Sequence, residues 1–123
     1  MPSPSFDEVR ADLRAFVAER DWDQFHSPKD LALGLAVEAG ELLQEFQWRD
    51  PSAGELRGDA ARLAAVKAET ADVVLYAMLL ADKLGFDLLE ACREKLAANR
   101  AKYPVERARG SAAKYTEWEP KES

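Results

Sequence analysis

One segment of the sequence, residues 59–84, restricts the possible folds more than any other. Its second half reads ADVVLYAMLLA, which is apolar almost all round a helix, and Gly85 follows as a C-terminal stop. A helix of this kind has to be buried on most of its faces. One small chain offers too few neighbouring helices to cover it, so we expect an oligomer whose interface uses this helix.

Three further helices are predicted from capping residues and apolar residues at helical spacing. Their expected bounds are 5–21, 27–48 and 87–104. Residues 21–28 and 50–58 are interpreted as connections, and residues 105–123 as an irregular tail that docks partly through Tyr115 and Trp118. The prediction is an all-α, four-helix bundle-like subunit, folded as a single domain over residues 1–123.

Composition excludes several classes of protein. The chain has 123 residues, a net charge of −6 and one cysteine, Cys92, interpreted as a small core residue. The acidic balance argues against nucleic-acid binding. No run of 18 apolar residues and no signal-peptide pattern occur, so we expect no membrane association and a cytoplasmic location. Residues 93–114 carry seven basic and two acidic side chains. Such a cluster suits a polyphosphate partner, although charge alone favours an ordinary solvated face.

Two pairs of carboxylates stand inside mainly apolar helices. Glu38 and Glu41 are three residues apart, as are Glu69 and Asp72, so each pair shares one helical face. Burying such like charges is costly unless a cation neutralises them. Ligation by oxygen alone favours Mg²⁺, with Mn²⁺ as a substitute, over Zn²⁺. Ordinary solvent-facing carboxylates are an equally good interpretation of the spacing. A di-iron bundle is disfavoured, because it needs Glu-x-x-His motifs and the chain has a single histidine, His26.

The two acid pairs also form part of a longer pattern. Glu38-Ala39-Gly40-Glu41 is followed by Phe46-Gln47-Trp48 and, after a 27-residue spacer over 42–68, by Glu69-Thr70-Ala71-Asp72. This pattern resembles the all-α nucleoside triphosphate pyrophosphatase superfamily, and in particular the MazG-like, dCTP pyrophosphatase type.

The resemblance implies a Mg²⁺-dependent enzyme that converts a nucleoside triphosphate, with dCTP or a modified pyrimidine nucleotide as first candidate, to a monophosphate and pyrophosphate. It implies a role in removing unwanted nucleotides and assembly as a homotetramer. The implied metal ligands are Glu38, Glu41, Glu69 and Asp72. Among them, we expect Glu41 or Glu38 to be the catalytic group that orients or deprotonates the attacking water. The implied substrate-binding residues are Trp22, His26, Trp48, Tyr76, Lys95 and Asn99.

These substrate roles have structural alternatives. Tryptophans more often pack than stack on a base, and Lys95 can equally lie on the solvated face of its helix. A rival function is a non-catalytic, metal-stabilised helical oligomer or a regulatory nucleotide-binding module. Release of pyrophosphate separates the enzyme from this rival.

Overall fold

The computed structural model describes residues 2–118, which form helices and turns without a strand. The helices are α1 (Phe6–Glu19), α2 (Pro28–Gln44), α3 (Ala53–Arg57), α4 (Ala60–Leu84), α5 (Leu88–Lys102) and α6 (Val105–Ala108). Two short 3-10 helices lie at Asp23–Phe25 and Tyr115–Glu117. The predicted all-α class is confirmed.

Three ends of the long helices lie where their capping residues predict. The Ser27 hydroxyl accepts a hydrogen bond from the Asp30 amide. Pro28 occupies the first turn, where its missing backbone N–H costs nothing because N–H groups there have no partner within the helix. Asp87 accepts in the same way from the Glu90 amide. Gly85 ends α4 with a φ of 74°, a left-handed conformation that costs glycine no Cβ clash.

Helix α2 is shorter than predicted. It ends at Gln44 rather than near Trp48, because the next amides bond three residues back instead of four: Phe46 donates to the Leu43 carbonyl and Gln47 to the Gln44 carbonyl. These tighter turns change the direction of the chain. Trp48 then adopts a φ of 64° and lies outside the helix that carries Glu41.

Two segments interpreted as irregular contain short helices. The connection 50–58 holds α3, which starts with a reciprocal capping box between Ser52 and Glu55. The segment after Pro104 holds α6, so the tail is less irregular than predicted. Both helices have five residues or fewer, which is too short for a periodic apolar pattern to show.

The chain divides into two compact units, residues 1–86 and 87–123. In the first unit, α2 and α4 form the main helix pair. Its buried apolar side chains come from three helices: Leu13 and Val17 of α1, Leu31 of α2, and Met78 and Ala81 of α4. A core of five side chains is small for this length of chain. A single domain over residues 1–123 stays a prediction.

Large apolar side chains of the first unit also face outward. Leu33, Val37 and Leu43 of α2 are more than half exposed, and Val74 of α4 is 47% exposed. Uncovered apolar surface is therefore shared between α2 and α4 rather than concentrated on α4, as the sequence suggested. No helix within residues 2–118 is both long enough and apolar enough to cross a bilayer.

In the second unit, the tail packs on the end of α5. The ring of Tyr103 meets Tyr115 and Trp118 edge to face, with centroid distances of 5.9 and 5.5 Å. The predicted docking through Tyr115 and Trp118 is thus confirmed within this unit. The expectation that Cys92 is a core residue is wrong, since its side chain is exposed on α5.

Candidate metal centre and adjoining pocket

The acids of α2 and α4 face each other in the first unit. Glu38, Glu41 and Glu69 each place a carboxylate oxygen within 4.8 Å of the others. The i, i+3 spacing brings the first two onto one face of α2, and the pairing with α4 supplies the third. Three carboxylates at this separation repel one another strongly unless protons or a cation intervene.

Two of these carboxylates are incompletely satisfied. Within the part of the chain that the structure describes, Oε2 of Glu38 and Oε2 of Glu69 are buried and have no hydrogen-bond partner. A buried carboxylate oxygen without a partner costs the full desolvation of that atom. Mg²⁺ and Mn²⁺ are bound by oxygen ligands such as carboxylates. The carboxylate oxygens converge here and two of them lack a hydrogen-bond donor, so the residues present fit a divalent cation.

The same arrangement alters the acidity of the cluster. Burial, and after it the neighbouring Glu41 carboxylate, raises the pKa of Glu38 to about 7. The same two causes, in the same order, raise the pKa of Glu69. Asp72 lies outside the group of three, yet its charge contributes to both shifts. The fourth predicted acid therefore acts electrostatically on Glu38 and Glu69.

A pocket of about 190 Å³ adjoins Asp72. Asp72 and Tyr76 reach it from α4, and Trp22 and His26 reach it from the connection after α1. The remaining lining residues are apolar: Leu13, Phe16, Val17, Leu75 and Leu79. The Trp22 ring is held edge to face on Phe16, with centroids 5.5 Å apart. An aromatic pocket with few polar groups, beside an acid cluster, suits a flat organic group attached to a charged one.

Comparison with known proteins bears on what this site does. The family model described as the MazG-like family matches residues 34–118. The chain belongs to this family. The match includes all four predicted acids, and the family resemblance inferred from the acid pairs is confirmed.

Curated MazG-like relatives are similar over most of the chain. It is 42% identical to dCTP pyrophosphatase 1 of Mus musculus over 117 residues, which cover 94% of this chain and 69% of the relative. The Homo sapiens dCTP pyrophosphatase 1 is 41% identical over the same shares. A dATP/dGTP diphosphohydrolase of Cyanophage S-2L is 33% identical over 95 residues, 77% of this chain and 73% of the relative.

The fold also matches a solved structure. A pyrophosphatase from Archaeoglobus fulgidus DSM 4304 superposes with a TM-score of 0.73 at 35% sequence identity. The match covers 85% of this chain and 96% of the archaeal chain. The arrangement of helices in this MazG-like chain is therefore shared with a protein named as a pyrophosphatase.

The structure brings some of the sequence-predicted substrate residues together. Trp22, His26 and Tyr76 share the pocket beside Asp72. Trp48 does not line it. Its side chain is 95% exposed and borders a separate shallow hollow with Gly40 and Leu43. Lys95 and Asn99 lie on α5 in the second unit, Lys95 exposed and Asn99 half-buried, and their roles stay predictions.

Sequence reasoning missed the contribution of α1 to the pocket. Leu13, Phe16 and Val17 recur at helical spacing, a pattern that indicates a core-facing side of a helix. Leu13 and Val17 are buried in the core, and with Phe16 they also form the apolar wall of the pocket. A residue at the edge of a core serves both purposes, and helical periodicity cannot separate the two.

A larger cavity of about 460 Å³ lies beside this pocket, and Val17, His26 and Leu79 line both. Its charged residues neutralise one another. Arg14 binds Asp82 through two hydrogen bonds of 2.7 and 2.9 Å, and Lys83 pairs with Asp23 at 3.0 Å. Hydrogen bonding to Arg14 lowers the pKa of Asp82 accordingly. This cavity therefore offers no unpaired charge to a ligand, and the acids of α2 and α4 mark the better site.

Proposed function

We propose that this chain is a Mg²⁺-dependent nucleoside triphosphate pyrophosphohydrolase. Its substrate would be dCTP or a modified pyrimidine nucleotide, which it converts to the monophosphate and pyrophosphate. Its role would be to remove unwanted nucleotides. The observation that carries the proposal is the pair of buried, unpaired oxygens on Glu38 and Glu69, together with the aromatic pocket that Asp72 lines. A nucleoside triphosphate needs a cation site for its phosphates and a pocket for its base, and the two lie close together here.

The class of enzyme rests on the relatives. Those named dCTP pyrophosphatase 1 are 41–42% identical over almost the whole chain, so the chain is a nucleoside triphosphate pyrophosphatase. The preference for cytosine is a finer proposal. The phage relative is named for dATP and dGTP, so the base preference of this chain needs its own test.

Glu38, Glu41, Glu69 and Asp72 would hold the cation. When bound, a divalent cation supplies positive charge that offsets the negative charge of the triphosphate. Mg²⁺ is favoured because all four side chains offer carboxylate oxygens, and Mn²⁺ would substitute for it.

The reaction is a displacement at the α-phosphorus. Water attacks in line, a new P–O bond forms, and the bridging bond to the β-phosphate breaks, so that pyrophosphate leaves. Glu38 or Glu41 would orient the water and accept its proton. Both lie on α2 and belong to the cluster of convergent carboxylates, so either would face a water bound at the cluster.

The nucleobase would lie in the pocket beside Asp72. Trp22, His26 and Tyr76 supply ring surfaces, and stacking of a base on such rings is worth about 1–3 kcal/mol. Trp48, Lys95 and Asn99 are proposed as further substrate contacts. Trp48 would stack from outside the pocket, Lys95 would offset phosphate charge, and Asn99 would supply polar contacts.

Assembly into a homotetramer is part of the proposal. The exposed apolar side chains of α2, together with a small core, leave this subunit with surface that a second copy would cover. The exposed Trp48 is then free to contribute to a site completed by a neighbouring subunit.

A pyrophosphate-release screen tests this function. Common and 5-substituted nucleoside triphosphates would be incubated with the protein in Mg²⁺, in Mn²⁺ and in a chelator. We expect turnover that requires the metal and is fastest with cytosine nucleotides. Metal-dependent nucleotide binding without pyrophosphate release would instead support the regulatory module.

A further inference from the structure

Gly34 of α2 is packed directly against an aromatic ring of α4. A Cβ built at this position would lie 2.7 Å from Cζ and 2.8 Å from Cδ1 of Tyr76, and would overlap Cε1. Side chains in folded proteins do not approach this closely, so any residue other than glycine forces the ring to move. Gly34 lies within the regular helix α2, so its backbone conformation is one that any residue could adopt. What the contact requires of glycine is only that it has no side chain.

This contact lies one helical turn from the acids on both helices. Gly34 is four residues before Glu38, and Tyr76 is four residues after Asp72. Since Glu38 faces Glu69 while Gly34 faces Tyr76, the two helices run antiparallel. The Tyr76 ring therefore lies one helical turn from Asp72, and both residues line the pocket.

The direction in which the ring would move follows from what lines the pocket. Its nine lining residues come from α1, the connection after α1, and α4, and none comes from α2. One side of the Tyr76 ring therefore faces α2 and another faces the pocket. A methyl group at position 34 would push the ring away from α2 and into a space of only about 190 Å³.

We propose that Gly34 is a positioning residue for nucleotide selection: by lacking a side chain, it lets the Tyr76 ring settle against α2 and keeps the pocket wide enough for a substituted base. This inference rests on the proposed function, since it takes the nucleobase as the occupant of the pocket. Gly34 itself does not line the pocket. It acts through the ring of Tyr76, and its effect is on the size of substrate that fits.

The test compares Gly34→Ala with the wild type on dCTP and on 5-methyl-dCTP. The narrowed pocket should raise the KM for the methylated nucleotide about tenfold more than that for dCTP, the usual effect of one methyl group in a tight pocket. The kcat for dCTP should change much less, because the acid cluster keeps its place. Equal KM changes for the two nucleotides would overturn the inference.

A second pair of variants separates ring displacement from general damage. In a Tyr76→Leu background the ring is absent, so adding Gly34→Ala should cause no further change in KM. The added alanine should also raise the melting temperature there, since alanine favours helix more than glycine does. If the double variant loses the fold or shows the same selectivity change as Gly34→Ala alone, Gly34 does not act through Tyr76.

Gly54→Ala is the matched control. It makes the same change within helix α3, where the new Cβ would be 3.8 Å from the nearest side-chain atom, an ordinary contact. It should leave the KM values for both nucleotides unchanged. A selectivity change equal to that of Gly34→Ala would contradict the role assigned to the Tyr76 contact.

Binding of dCMP and 5-methyl-dCMP, measured by calorimetry, distinguishes this inference from the proposed function. These ligands need the pocket but no hydrolysis. A protein that fails to hydrolyse any triphosphate, yet binds 5-methyl-dCMP and loses this affinity in Gly34→Ala, would refute the proposed activity and support the inference. The inference would be overturned if the wild type and Gly34→Ala bound each monophosphate with the same affinity. It would also be overturned if the wild type bound neither monophosphate.

Discussion

At the scale of single residues, Glu69 offers the sharpest test of the metal site. Glu69→Gln keeps the shape of the side chain and removes one of the crowded charges. We expect the metal-free protein to melt at a higher temperature, because repulsion within the cluster falls. Mg²⁺ affinity and turnover should drop at least about 100-fold, since loss of a ligand costs more than loss of its supporting contacts.

Glu19→Gln is the control for that change. It removes the same charge from a side chain that is 70% exposed and outside the cluster. Its activity and Mg²⁺ affinity should equal those of the wild type. Full Mg²⁺-dependent activity in Glu69→Gln would show that the carboxylates of the cluster do not hold the metal.

The raised pKa of Glu38 predicts an unusual dependence of stability on pH. Its carboxyl titrates near 4.5 in an unfolded chain and at about 7 in the folded one. Between these values the folded state holds more protons, so the stability of the metal-free protein should fall as pH rises through this window. Bound Mg²⁺ competes with the proton, so metal affinity should rise over the same window.

Thermal unfolding between pH 5 and pH 7.5, with and without Mg²⁺, checks this dependence. Glu38→Gln cannot titrate and should flatten the slope of the metal-free curve. A metal-free melting temperature that rises with pH in the wild type, and does so equally in Glu38→Gln, would contradict the assigned protonation.

The residues of the acid cluster could be predicted from the sequence, but their environment could not. Spacing by three residues places Glu38 beside Glu41 on any α-helix. Whether an oxygen of Glu38 is buried, and whether it meets Glu69, depends on how α2 crosses α4. That crossing depends on how the side chains of the two helices pack together, which helical periodicity does not reveal.

At the scale of elements, the end of α2 decides the role of Trp48. The helix stops at Gln44, and Trp48 stands 95% exposed after a turn. A side chain this exposed contributes little packing within the chain. Trp48→Ala should therefore raise the KM for nucleotides severalfold, about the loss of one stacking contact, while the melting temperature hardly changes.

Kinetics of Trp48→Ala on four nucleotides, together with its melting curve, provide the measurement. Trp22→Ala serves as the comparison, because Trp22 packs on Phe16 and should lose both affinity and stability. An unchanged KM in Trp48→Ala with a large fall in melting temperature would remove Trp48 from the substrate site.

The C-terminus of α4 gives a second prediction for an element. Gly85 has a φ of 74°, where a Cβ is strained by about 1–2 kcal/mol. Gly85→Ala should lower the free energy of unfolding by about that amount and leave Mg²⁺ affinity unchanged. Denaturant unfolding measures the first quantity, and an equal or greater stability in Gly85→Ala would contradict the left-handed end of the helix.

Capping residues explain which elements could be predicted. Three helix ends follow from the sequence because hydrogen bonds within one turn of chain determine them. The residues involved are Ser27 and Pro28 at the start of α2, Asp87 and Glu90 at the start of α5, and Gly85 at the end of α4. The early end of α2 has no such local signal. The helix α3 did have one, the capping box of Ser52 and Glu55, but its five residues are too few to display periodicity.

At the scale of the whole molecule, the outward apolar residues predict assembly. Val37 is 58% exposed and lies one turn from Leu33 on α2. We expect light scattering at micromolar concentration to give the mass of a tetramer. Val37→Glu should shift that mass toward smaller species, because a charge at a covered apolar contact is costly to bury.

Ala11→Glu is the control for assembly, since it introduces the same charge on the exposed side of α1. It should keep the mass of the wild type. A monomer mass for the wild type itself would contradict the assembly, and a tetramer that persists in Val37→Glu would place the interface elsewhere.

The most direct test of the central claim is the fate of labelled oxygen during hydrolysis of dCTP. The protein would be incubated with dCTP and Mg²⁺ in ¹⁸O-water, and the products analysed by ³¹P NMR. We predict equal amounts of dCMP and pyrophosphate, with the label in dCMP, because water attacks the α-phosphorus. Label in pyrophosphate, products of dCDP and phosphate, or no turnover of any nucleoside triphosphate would contradict the account.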